Sequence, residues 1–267
     1  MDFQFPEEIE LDFSPGKPEL SFSLIGLSLL LPYLEPYLIR TMNKAKKRIT
    51  DPDLLVDVEN FCAQEGQHYR QHIRFNRALR LNGFDALEDL EKDLQEDYLR
   101  FTRTRSLRFN LAYAEGFEAL TTAFALFSLE EPDEMLGHSP GEELLRWHAI
   151  EELEHRTVAF DVYQHVCRGY FYRLFVGLFA QWHFLRFVGR VVRVMTESSP
   201  EIQARHGGLE GRRERSRMNS GALWRFLPRV LKTYLPGYTP HDIVLSDDLQ
   251  AATDRQTERA LSVSRAK

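Results

Sequence analysis

Two short stretches hold most of the side chains able to bind a metal ion. Residues 147–161 read WHAIEELEHRTVAFD, with helix formers throughout and no Gly or Pro. On a helix, His148, Glu152 and His155 fall at i, i+4 and i+7 and project from one face. Two imidazoles and a carboxylate on one stripe make a poor hydrophobic core and a good half of a metal site. The other half lies upstream. There FCAQEGQH at 61–68 contains Glu65-x-x-His68, and His72 follows one turn later on the same face.

A Glu-x-x-His on each of two helices, with one Glu from each of two others, is the ligand arrangement of di-iron and di-manganese proteins of the ferritin-like four-helix class. Carboxylates and imidazoles suit Fe, Mn or Zn, and bridging carboxylates neutralise two adjacent cations. By chance alone, roughly one of the nine histidines would have a Glu three residues before it. Two such pairs on separate long helical segments, each with an added His, exceed that background.

The elements that must position these residues follow from capping and periodicity. An acidic, Pro-containing arm over 1–20 wraps or frays. A first helix begins around Ser21 or after Pro32 and runs to about Lys47, with Pro36 tolerated only near a helix start or at a kink. Glu35 sits there, either as a solvated helix-start carboxylate or as the Glu that a four-helix site needs from this part of the chain. A second helix spans about 52–81, capped by Asp51 or Asp53 and stopped by Asn82-Gly83. A connecting helix from Asp85 to about Arg103 precedes a third bundle helix over about 106–129. That helix carries Glu115 and Glu118 among apolar residues. Buried acids need partners, either a metal or an arginine of the 100–108 segment. A turn-rich loop over 130–140 leads to a fourth helix from Glu142 to about Gly169. Residues 170–195 form an apolar fifth helix with Arg186, Arg190 and Arg193 at helical spacing, packed on the bundle with its arginines outward. Contact with a membrane surface is the lesser reading of that stripe. Residues 198–220 read as a mobile linker, Ala222–Tyr234 as an amphipathic helix, and the tail from Ser246 as a short helix or disordered.

The expected fold is all-α, a ferritin-like four-helix bundle with extra C-terminal helices. The 267 residues, 43% hydrophobic, are expected to form a single domain: an arm over 1–20, a metal-binding bundle over 21–197, and a linker, helix and tail over 198–267. A net charge of -6 gives no electrostatic footprint for nucleic acid. Two cysteines, Cys62 and Cys167, fit a reducing compartment. The acidic N-terminus lacks a signal-peptide pattern, and the best apolar run, Leu24–Leu31, is too short to cross a bilayer. A cytoplasmic location is expected.

The run Trp147-His148-x-x-Glu151-Glu152-x-Glu154-His155 through Val158-Ala159-Phe160-Asp161, with Gln64-Glu65-x-x-His68 and Glu118-Ala119-Leu120-Thr121, resembles the bacterial family described as predicted metal-dependent hydrolases. Tyr234–Asp242 resembles that family's closing segment, although Thr239-Pro240 stands where a His-Pro is more usual, so no role passes to His241. The resemblance spans about Ser21 to Asp242. The ligand order also resembles the di-iron arylamine N-oxygenases, which add a histidine one turn before the last Glu-x-x-His; His148 stands there. Together these resemblances imply a metal site of Glu35, Glu65, His68, Glu118, His148, Glu152 and His155. Glu118 is preferred over Glu115 because it matches the family's Glu-x-x-Thr, and His72 and Glu115 remain further candidates.

The leading expectation is therefore a dinuclear-metal oxidase or oxygenase that binds two ions, iron first with manganese or zinc as alternatives, and uses O2 on a small organic substrate. The alternatives are a metal-dependent hydrolase with the same ligands and a non-catalytic metal-binding bundle. Beyond the metal ligands no catalytic residue is assigned. Glu151 and Glu154 flank the ligand stripe and are expected behind it or at the surface, paired with arginines such as Arg156. A homodimer through the 170–195 helix is a further expectation.

Overall fold

The computed structural model describes residues 3–7, 9–14, 16–81, 85–131 and 138–255. Caps and prolines set most helix starts. Pro18 opens α1 (Pro18–Ala45). The Asp51 carboxylate accepts from the backbone N–H of Asp53 at 3.0 Å and Leu54 at 3.4 Å to start α2 (Pro52–Arg80). After α3 (Asp85–Thr104), Ser106 caps α4 (Leu107–Glu130). Ser139 and Glu142 form a capping box at the head of α5 (Pro140–Glu154). Then follow α6 (Val158–Val166), α7 (Tyr170–Ser198), α8 (Pro200–Arg205), α9 (Gly208–Lys232) and a last helix, α10, over 247–255. The fold is all-α, and the described residues contain no strand.

α1 is the central rod. It packs on α2, α3, α4 and α7, while α4 packs on α5, α6, α7 and α9. That arrangement is consistent with the ferritin-like expectation, since α1, α2, α4 and α5 are the helices that carry the candidate ligands. α4 and α7 touch backbone to backbone: a Cβ on Gly116 would lie 2.2 Å from the Gly177 Cα. The Gln181 amide donates to the Gly116 carbonyl at 3.1 Å across this contact. The N-terminal arm wraps: Phe3 packs on Trp147 and Phe5 on Phe75, with ring centroids 5.5 and 5.3 Å apart.

Three expectations are corrected. First, α1 starts at Pro18 and contains both Pro32 and Pro36 in its interior. An interior proline removes an i→i−4 hydrogen bond, and for Pro32 the stranded acceptor is the Ser28 carbonyl. Asn76 of α2 fills it, its side-chain amide donating to that carbonyl at 2.8 Å. Being longer than expected, the helix also meets the length and composition of a membrane span, although two-thirds (67%) of its most apolar window is buried in the bundle. Second, the expected fourth helix breaks after Glu154. His155 leaves helical geometry at φ -102, and the Val158 N–H donates back to the His155 carbonyl at 3.0 Å in a tight turn. Third, the expected linker over 198–220 is helical, as α8 and most of α9. Its Arg215 makes a bidentate pair with Glu19 of α1, Nη2 at 2.8 Å and Nε at 3.0 Å. The stripe of Arg186, Arg190 and Arg193 lies outward as expected, and Arg190 makes an exposed pair there with Asp93 of α3 at 2.7 Å. The expected stop at Asn82-Gly83 and most of the 130–140 loop lie outside the described residues.

The Asn76–Ser28 contact generates a prediction. Asn76→Leu strands a buried carbonyl and should destabilise the chelator-treated protein by about 1–3 kcal/mol in urea unfolding. Adding Pro32→Ala, which returns the helical N–H, should recover part of that loss. No recovery would mean that the Asn76 amide does not compensate the proline.

Candidate metal centre

Four helices deliver seven buried donors to one place. α1 supplies Glu35, α2 supplies Glu65 and His68, α4 supplies Glu118, and α5 with its terminal turn supplies His148, Glu152 and His155. They fall into two groups, Glu35–His68–His148 and Glu65–Glu118–Glu152–His155, whose donor atoms lie within 4.8 Å of one another inside each group. Two ligands of one ion, each about 2.0–2.2 Å from it, lie no more than about 4.4 Å apart. The grouping is therefore slightly looser than a bound site and close to one.

Glu65 and Glu152 lie between the groups. Glu152 Oε1 is 3.0 Å from His148 Nε2, 3.9 Å from His68 Nδ1 and 3.5 Å from His155 Nε2. Glu65 Oε1 is 3.2 Å from His155 Nε2 and 3.9 Å from His68 Nδ1. Glu118 Oε2 lies 3.6 Å from His155 Nε2, and Glu35 Oε1 lies 4.0 Å from His148 Nδ1. All seven sequence-predicted residues are thus brought together.

The other two candidates are not in these groups. Glu115, on the same helix as Glu118, accepts from buried Arg173 of α7 at 2.7 Å. The arginine partner foreseen for it comes from α7, not from the 100–108 segment. His72 stands behind His148, its Nε2 3.1 Å from His148 Nδ1.

A layer of hydrogen bonds fixes which nitrogen of each histidine faces the centre. His68 Nε2 lies 2.9 Å from a Glu151 carboxylate oxygen, so Nε2 donates and Nδ1 keeps its lone pair. His155 Nδ1 lies 3.1 Å from Gln64 Oε1 and donates there, which leaves Nε2 inward. For His148 the assignment begins at Pro32. Asn76 donates its amide to the Ser28 carbonyl, so its Oδ1 accepts the Ser28 hydroxyl at 2.6 Å. The Ser28 oxygen accepts from His72 Nδ1 at 2.8 Å. His72 Nε2 is then an acceptor for His148 Nδ1–H, and His148 Nε2 keeps its lone pair for a metal. Thr121 also donates to Glu152 Oε2 at 2.8 Å. The arginine partner expected for Glu151 and Glu154 is not what the structure places there: Glu151 takes His68 and Glu154 accepts from the Gln64 amide. Gln64, Thr121, Ser28 and Asn76 had no role assigned from the sequence. Gln64 and Glu151 directly precede the ligands Glu65 and Glu152, and that adjacency is the one signal that could have found them.

The donor set fits cations. Both Glu35 oxygens, Glu65 Oε1, Glu118 Oε2, His68 Nδ1 and His155 Nε2 are buried without a hydrogen-bond partner. Such orphans are rare unless an ion or water satisfies them. Burial pushes Glu35 well above the usual carboxylate range, and the charges of Glu65, Glu152 and Glu118 push it further. Glu118 rises through burial and through Glu152 and Glu65. Burial also opposes charge on Glu152, but His155 and His148 outweigh it and hold this carboxyl well below its usual value. His155 holds its proton well above the usual imidazole value, because Glu152 and Glu65 outweigh its burial. Burial, with His148 beside it, brings His68 down to about 3, the neutral state a ligand needs. Four carboxylates balance the charge of two divalent ions.

Two predictions follow from this geometry. Glu151→Ala frees the His68 ring and should weaken metal binding by about 10–100-fold in competition with a chromophoric chelator, whereas Glu115→Gln should leave it unchanged. The reverse pattern would move the site to Glu115. The second concerns pH. Glu35, Glu118 and His155 have folded pKa values raised above their unfolded ones, so their stabilisation is full below the unfolded values and is lost as pH rises through the folded ones. Glu152 is shifted the other way, and its contribution is lost only below its usual range. From about pH 5 to about pH 8 the metal-free protein should lose thermal stability, and Mn(II) should restore more at the higher pH. A metal-free Tm that climbs across this window would contradict the assignment.

The chain matches the family described as predicted metal-dependent hydrolase over residues 1–243, a span that contains all seven candidate ligands. Among curated proteins and solved structures, none matches it. The match covers most of the 267 residues, and a buried His/Glu cluster able to hold metal sits within it. The chain belongs to the predicted metal-dependent hydrolase family.

Proposed function

We propose that the chain is a metal-dependent hydrolase of a small organic substrate, with two divalent ions at the centre. Glu35, His68 and His148 would hold one ion, Glu118 and His155 the other, and Glu65 and Glu152 would lie between them. When bound, such a pair polarises a carbonyl or phosphoryl oxygen and makes water acidic enough to attack near neutral pH. The observation that carries the reading is the convergence of six buried, unpartnered donor atoms from three helices and the turn that ends α5.

The chain's own residues supply the rest. Glu151, Gln64 and His72 hold the three imidazoles in one tautomer each, and Thr121 holds Glu152. Trp147 packs edge-on against His68 at 5.1 Å and Phe61 against His155 at 4.8 Å, which keeps bulk water from these rings. A cavity of about 190 Å³ lies beside α4. Ala119, Thr122 and Leu126 line it from α4, Thr233 lines it from the end of α9, and Tyr238 lines it from the closing segment. The Thr122 hydroxyl is buried without a partner, so a polar group of a small substrate would be satisfied there.

A second reading, the di-iron oxidase or oxygenase, is favoured by the carboxylate-rich seven-donor set, which suits iron as well as manganese or zinc. The family description puts hydrolysis first.

The test is to load the stripped protein with Zn(II), Mn(II) or Fe(II), count the bound metal, and assay chromogenic esters and phosphoesters alongside O2 uptake. Near two ions per chain are expected, with hydrolysis that Glu152→Ala lowers by at least about 100-fold along with metal content. O2 uptake by the Fe(II) form with no hydrolysis of any substrate would transfer the assignment to the second reading. Failure to bind metal would remove both.

A further inference from the structure

The helix α7 carries an apolar stripe that the bundle does not cover. Phe171, Phe175, Leu178, Trp182 and Leu185 are 75%, 76%, 48%, 54% and 61% exposed. Their spacing is 4-3-4-3, the heptad seam by which one helix packs along another. The stripe is about 21 Å long at 1.5 Å per residue. Fully buried aromatic side chains hide about 150–250 Å² each, so two copies packed through it would bury roughly 1,000–1,200 Å², the lower bound for a specific interface.

The charge beside the stripe selects the occupant. α3 runs antiparallel along one flank of α7. Asp93 pairs with Arg190 at 2.7 Å, Asp97 meets His183 at 3.1 Å, and Phe101 packs on Phe179 with ring centroids 6.0 Å apart. Just beyond α3, Arg108 lies over the Tyr172 ring at 4.2 Å. This flank is charge-segregated. Residues 85–97 hold seven acids and one lysine, and residues 98–108 hold four arginines and no acid. The acidic half lies beside the C-terminal half of α7 and the basic half beside its N-terminal half.

We propose that this stripe is the interface of an antiparallel homodimer, a second copy of this chain docking along α7 about a twofold axis at Leu178. Phe175 then packs on the partner's Trp182, Phe171 on the partner's Leu185, and Leu178 on the partner's Leu178. The same axis sets the acidic half of one flank against the arginines of the other. A parallel twofold pair would carry the two α3 flanks to opposite sides of the seam and leave this complementarity unused. An anionic membrane surface would suit the aromatics and the arginines but would also meet the acids of α3, which Arg186, Arg190 and Arg193 of α7 only partly offset.

The full metal-loaded chain is to be measured by sedimentation velocity and light scattering across micromolar concentrations. Twice the chain mass is expected. Leu178→Asp, which sets two carboxylates on the axis, should raise the dimer dissociation constant at least about 100-fold with helicity and metal content unchanged. In a chain carrying Cys62→Ser and Cys167→Ser, Leu178→Cys should cross-link to its own copy under mild oxidation, and Leu223→Cys, on exposed α9, should not. A monomer at every concentration, or a dimer indifferent to Leu178→Asp, overturns the proposal. So does a monomer whose flotation with phosphatidylcholine/phosphatidylglycerol vesicles depends on Leu178, which would assign the stripe to lipid. These readouts do not depend on which reaction the metal centre performs.

Discussion

Four carboxylates buried within a few ångströms of one another are the constraint around which this molecule is built. In an apolar core each additional like charge raises the cost of the rest, which is why Glu35 and Glu118 hold their protons so tightly. The only inward cationic group of the set is His155, held protonated by Glu152 and Glu65. Among the described residues the one buried arginine, Arg173, is committed to Glu115. Protein charges alone do not balance the centre. Cations would, and the donors left without partners are the ones that face them.

The ring orientations of the site follow from a defect in the backbone. Pro32 withholds one N–H from α1, and the acceptor it strands is repaired from α2 by Asn76. Because the Asn76 amide is used there, its oxygen takes the Ser28 hydroxyl, and every later hydrogen bond through His72 to His148 has one direction. A buried chain with each member satisfied behaves as a rigid unit. The proline that weakens α1 as a helix therefore ties it to α2 and holds a metal-facing imidazole in a single tautomer.

Helix periodicity puts His148, Glu152 and His155 on one face and Glu65, His68 and His72 on another, residue types unusual for a core. The full set of seven, with Glu35 and Glu118, was legible only through the resemblance. The same periodicity could not separate Glu118 from Glu115, or His68 from His72, since both members of each pair lie close to the inward direction of one helix. What separates them is on other elements: Arg173 of α7 claims Glu115, and Ser28 of α1 claims one nitrogen of His72. The missed structure has the same origin. Residues 198–220 look like a linker by composition, yet Arg215 finds Glu19 some two hundred residues away in sequence. The break at His155 has no Gly or Pro to announce it. It falls at the last ligand, where the chain leaves helical geometry and His155 Nε2 lies among Glu65, Glu118 and Glu152.

The balance of formal charge also bears on which chemistry the site suits. Four carboxylates and three neutral imidazoles cancel two divalent ions. Two trivalent ions would leave a surplus of two positive charges in a core where little water can relax them. Glu151 is the further acid in contact with the ligands, and its carboxylate is already engaged by His68. A centre meant to cycle between oxidation states needs either more negative charge or a path for compensating protons. Behind the imidazoles, the hydrogen bonds of His155 and His148 lead to the amides of Gln64 and Asn76, and that of His68 ends on the Glu151 carboxylate. With divalent ions the site is charge-neutral and its imidazoles are held by partners outside the ligand set, a state that agrees with the family to which the chain belongs.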